Sequence, residues 1–184
     1  MHSVSDILAV LLQSVFVGFG IVIPIVALIK TSNLKSIAVK DLFILTSVQM
    51  VRIAGILYII ISYLLVLQRM KAIEITGDRD AFMFGQLLSP ILYFLLSQLF
   101  WIRKLYMKKA ALIIFALLIL TLPSQRVLAI FMSQGTDYFR RLGGGMFTGN
   151  AIIETALNVV VFIFIVFTIM LAGGKLKDIV GKQS

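Results

Sequence analysis

Apolar residues fall in five long runs, separated by short clusters rich in charge, Gly, Ser and Asn. The runs cover residues 7–29, 42–67, 84–102, 110–132 and 151–172. Each approaches or exceeds the roughly 20 residues that an α-helix needs to cross about 30 Å of hydrocarbon. None alternates apolar and polar positions, as the strands of roughly 10 residues in a membrane barrel do. A helix also satisfies its own backbone N–H and C=O groups, which lipid requires. The pattern predicts an all-α integral membrane protein. Its five transmembrane helices form one polytopic domain over residues 1–184.

Composition points the same way. Apolar residues make up 60% of the chain and charged residues 14%, against about 45–50% and about 25% in soluble domains. There is no Cys, which removes disulfides, thiolate metal sites and thiol nucleophiles. The single His, His2, cannot by itself supply a bis-His haem or a Ser-His triad with internal geometry. The eight Met residues are scattered gap-fillers, and the fourteen Phe residues are lipid-facing or core bulk.

The loop charges are uneven. Lys30, Lys35, Lys40, Arg103, Lys104, Lys108, Lys109, Lys175, Lys177 and Lys182 fall on one side of the five-span arrangement. The other side has Arg69, Lys71, Arg79, Arg140 and Arg141, with the acids Asp6, Glu74, Asp78, Asp80 and Asp137. Basic residues are retained on the cytoplasmic side. The bias predicts the N-terminus outside and the C-terminus inside, with Trp101 and Tyr106 at the inner interface and Tyr138 at the outer one. Residues before Ile7 carry no Lys or Arg, so the first span reads as a retained helix rather than a cleaved signal. The net charge of +9 reads mainly as this basic collar, a partner for anionic lipid headgroups rather than nucleic acid. Short loops and the lack of cysteines suggest a bacterial inner membrane. Gly143, Gly144 and Gly145 lack the strand and Lys-Ser/Thr context of a phosphate loop and read as a flexible outer loop.

Three charges fall inside the spans: Arg52, Arg126 and Glu154. An ionised side chain at mid-bilayer costs about 2.5–3.5 kcal/mol on insertion scales and marks a site by default. At 1.5 Å per residue, Arg126 lies about 12 Å, and Glu154 about 6 Å, below the outer ends of their spans. An Arg126–Glu154 pair between adjacent helices is geometrically accessible. Gln125 and Asn158 lie beside it, and Asn158 shares a helix face with Glu154 at i,i+4. Pro123, just before Ser124, Gln125 and Arg126, frees a carbonyl in that helix. Arg52 lies about 18 Å from Lys40, with Gln49 one turn away. It has a partner subunit, a lipid phosphate, a water-filled cavity or a ligand as candidate counterparts. Gln13, Gln98 and Asn158 read as interhelical hydrogen-bonding residues. Gly18, Gly20 and Gly55 read as points of close helix approach.

From Phe84 onward the order of features becomes distinctive. Gly85 and Pro90 precede Leu99-Phe100-Trp101 and the basic loop 103–109. A long apolar helix then leads to Gln125-Arg126, Ser133 and Asp137-Tyr138, and the last helix opens with Met146-Phe147-Thr148 and then Glu154. This order resembles one half of the NrfD/polysulfide-reductase-type membrane subunits, which recur in alternative complex III. The chain has fewer spans than that family, and the family's acidic position before Arg126 is Gln125 here. The resemblance implies an accessory membrane subunit beside redox subunits that carry the metals. In it, Arg126 would line a quinone or proton path.

Two functional readings follow. One is a non-catalytic subunit of a larger membrane complex, in electron transfer or another energy-coupled machine, with quinone as the possible cofactor. The alternative is a small homo-oligomeric transporter or channel, with Arg52 and the outer polar cluster on the path of an anion or a coupled proton. The isolated prolines Pro24, Pro90 and Pro123 and the lack of an internal repeat weigh against a transporter. An intramembrane enzyme would have only Glu154, Asp137 and the tyrosines as acids or bases, with no visible nucleophile–base pairing. No residue is singled out as catalytic or metal-binding.

Overall fold

The computed structural model describes residues 4–72, 79–121 and 149–174. The described residues form six α-helices and no strand. They are α1 (Val4–Leu28), α2 (Leu34–Ala72), α3 (Arg79–Leu99), α4 (Arg103–Met107), α5 (Lys109–Thr121) and α6 (Gly149–Ala172). Three carry stretches long and apolar enough to cross a membrane: Ile7–Leu28, Leu34–Gln68 and Ile152–Ala172. The apolar stretches Leu87–Leu99 and Lys109–Thr121 are shorter. The expected third span reaches residue 102, but its helix stops at Leu99. The end of the expected fourth span, 122–132, lies outside the described residues.

The α1–α2 hairpin shows how local chemistry sets the fold. Asn33 closes the start of α2: its Oδ1 accepts from the Lys35 N–H at 3.0 Å and its carbonyl from the Ile37 N–H at 3.0 Å. Lys40, under two turns into α2, donates to the carbonyls of Ala27 at 3.1 Å and Ile29 at 2.6 Å. Those carbonyls lie at the end of α1, where backbone acceptors are otherwise unpaired and the helix dipole favours a cation. The two helices therefore run antiparallel, pinned at the lysine-rich end.

α1 is the hub, packed against α2, α5 and α6. Phe16 stacks on Tyr93 at 4.4 Å between centroids and meets Tyr58 edge-on at 5.6 Å. Phe19 meets Phe100 edge-on at 5.3 Å and Phe162 at 6.3 Å. Helices in lipid gain nothing by merely hiding apolar surface from one another, so close packing has to hold them. Glycines permit it. A Cβ on Gly18 would collide with the Phe162 Cβ, and one on Gly20 would lie 2.6 Å from the Leu120 Cβ. A Cβ on Gly55 would collide with the Ser97 hydroxyl. All three expected contact glycines are thus points of close helix approach.

Candidate functional site

Arg52 sits where α2 crosses the end of α3. There α3 stops and the chain tightens into i→i−3 turns: Phe100 N–H to Ser97 O (3.3 Å), Trp101 N–H to Gln98 O (3.0 Å) and Ile102 N–H to Leu99 O (3.1 Å). The Arg52 Nη1 donates to the Phe100 carbonyl at 3.4 Å. Its guanidinium carbon lies 4.1 Å from the centroid of the Trp101 ring. A cation is thus placed against the negative end of a helix dipole and an aromatic face, two favourable environments for it. Gln98 completes the cluster. Its Nε2 donates to the Arg52 carbonyl at 3.3 Å and to Ser97 Oγ at 3.2 Å, and its Oε1 accepts from the Trp101 indole at 2.7 Å. Ser97 in turn donates to the Phe94 carbonyl at 2.8 Å. The Arg52 Nε is buried with no hydrogen-bond partner, as is the Ser47 hydroxyl.

A second polar contact joins α1 to α6. The Ser14 hydroxyl lies 2.7 Å from Asn158 Oδ1 and 2.9 Å from the Val10 carbonyl, so its one proton is shared between two acceptors. Gln98 and Asn158 both act between helices, in keeping with the sequence reading, whereas Gln13 is exposed.

The remaining candidates are dispersed. Gln49 is exposed on α2, in line with the exposed side chains of Leu45, Ile53 and Ile56. Glu154 is exposed on α6, beside exposed Ile152, Ile153 and Leu157. Gln125 and Arg126 lie outside the described residues, and the expected Arg126–Glu154 pair with them. Thus Arg52, Asn158 and Gln98 are knitted into helix contacts, while Gln13, Gln49 and Glu154 face outward.

Sequence reasoning missed two features. Trp101 as the partner of Arg52 was hidden by the 48 residues between them. The nearest signal was a basic residue in α2 and an aromatic at the end of an apolar run in another helix. Lys40 as the cap of α1 was also missed, although a lysine twelve residues beyond Leu28, across a tight turn, is a usable signal.

Among the described residues, these features define an all-helical protein with three apolar helices long enough to cross a membrane. Comparison with protein families, curated proteins and solved structures finds no match for the chain.

Proposed function

We propose that this chain is a non-catalytic integral membrane subunit of a larger membrane complex, one that serves electron transfer or another energy-coupled process. The observation that carries the reading is the outward position of Gln49. Nine residues beyond Lys40, it sits about 13 Å along α2 from the basic end, in an otherwise apolar stripe. A carboxamide facing hydrocarbon without a partner costs several kcal/mol on alkane-transfer scales, and another helix relieves that cost. Exposed Gln13 on α1 and Glu154 on α6 make the same demand on other faces. The described inward polar groups Arg52, Gln98, Ser14 and Asn158 are engaged in holding this chain's own helices together. That division suits a part that packs among neighbours.

In this reading the chain crosses the membrane five times, with the N-terminus outside and the basic collar in the cytoplasm of a bacterial cell. Redox subunits and a quinone are its proposed neighbours, and Arg126 lines their path. A photoreactive side chain at position 49, activated in native membranes, tests the reading. Adducts with different membrane proteins support it. Adducts only with a second copy favour the homo-oligomeric transporter, and adducts only with lipid remove the argument from Gln49.

A further inference from the structure

At the lysine-rich end, α1, α2 and α6 enclose a groove of about 470 Å³. Its walls are Val22 and Val26 from α1, Val39 and Phe43 from α2, and Ile163 and Phe167 from α6. One end of the lining differs in chemistry: beside Ile29 stand Thr31 from the connection and Lys35, Ser36 and Lys40 from the start of α2. The groove is therefore amphipathic along its length, with hydroxyls and ammonium groups at the mouth and a hydrocarbon wall beyond. Val22 and Phe43 are buried, whereas Phe167 is 44% exposed, so the cleft opens sideways between membrane-spanning helices.

The charge at the mouth selects the occupant. Lys35 is exposed. Lys40 uses two N–H groups on the Ala27 and Ile29 carbonyls, and an ammonium has three. Asp41, the acid of this segment, does not line the groove. The start of α2 adds the positive end of a long helix dipole. A wall of aliphatic and aromatic carbon next to a cationic, hydroxyl-bearing mouth matches an acyl chain joined to a phosphate. The charge bias also assigns this end to the leaflet in which anionic headgroups concentrate.

We propose that the groove binds one anionic phospholipid of the surrounding leaflet. Its phosphate lies at the Lys35–Lys40 mouth and one acyl chain lies along Val26, Phe43 and Ile163. The site holds whether or not the chain works with other subunits.

The test uses the full chain in mild detergent, incubated with equal amounts of phosphatidylglycerol and phosphatidylcholine. Retained lipid is counted by native mass spectrometry. One phosphatidylglycerol per chain is expected, preferred over phosphatidylcholine. Lys35→Gln lowers its retention about fivefold and Lys35→Glu lowers it further, both at an exposed position that leaves the packing intact. Val26→Trp, which fills the cleft at constant charge, also expels the lipid. Lys30→Gln removes a collar charge outside the groove lining and leaves retention unchanged. Equal retention of the two lipids overturns the proposal. So does an equal loss with Lys30→Gln and Lys35→Gln, which marks diffuse attraction to the collar. Displacement of the lipid by millimolar inorganic phosphate also overturns it, because the mouth is then a free-anion site.

Discussion

α1 and α6 are built from the same kind of residue and live in different surroundings. Both carry stretches apolar enough to span a membrane, yet half of the α1 stretch is buried inside the molecule and 17% of the α6 stretch. Hydropathy therefore says that a helix avoids water but not what covers it. Small residues and aromatic shape make the difference. α1 presents Ser14, Gly18 and Gly20 to its neighbours and drives Phe16 and Phe19 into the centre. α6 has no glycine between Gly149 and Ala172. It buries one edge, Phe162, Val166 and Met170, and leaves Val160, Phe164 and Leu171 outside. One helix is a hub and the other is a wall, with one face on the hub and the other on whatever surrounds the protein.

The contrast can be broken by substitution. Phe19→Ala removes a fully buried ring between α6 and the turn that follows α3 and should cost about 3–5 kcal/mol. The loss is measured by reversible unfolding in mixed micelles. Gly18→Ala forces a methyl against the Phe162 Cβ and should cost about 1–3 kcal/mol in the same assay, because the clash is with a short, stiff part of the neighbour. A Gly18→Ala variant as stable as the parent would remove α1 from its place as the hub.

Arg52→Leu sharpens the comparison at the α2–α3 crossing. It should cost about 1 kcal/mol, since loss of the Trp101 and Phe100 contacts is offset by removing a buried, unpartnered Nε. Trp101 is the chain's single tryptophan, so its fluorescence reports the same change directly. A shifted emission maximum is expected, and an unchanged spectrum would argue against the stacked guanidinium. Asn158→Leu should cost about 0.6 kcal/mol, the average for a hydrogen bond between membrane helices. Phe164→Ala, on the outer face of α6, should change bundle stability by less than about 0.5 kcal/mol. A large loss there would show that this face is packed against protein.

Much of this contrast is legible in the sequence, and some is not. The apolar runs around α1, α2 and α6 announce themselves, because lipid imposes a length on any helix that crosses it. Gly18, Gly20 and Gly55 are legible as contact points, because a glycine inside an apolar helix has little other use. The surroundings of Arg52 are not legible. They depend on α3 stopping at Leu99 and releasing the Phe100 carbonyl, and no proline or glycine occurs in residues 91–102 to signal that stop. Nor is the division between inward Asn158 and outward Gln49 and Glu154. Helical phase can be counted along a run, but an all-round apolar helix gives no stripe from which to start counting.

The proposal that outward polar residues meet neighbouring subunits has one direct test. The assembly is released from native membranes in mild detergent and its intact mass is measured by native mass spectrometry. The account predicts a mass above that of this chain and its multiples, resolving on activation into this chain and different membrane polypeptides. A mass equal to one chain, or to a whole number of copies with bound lipid, would contradict it.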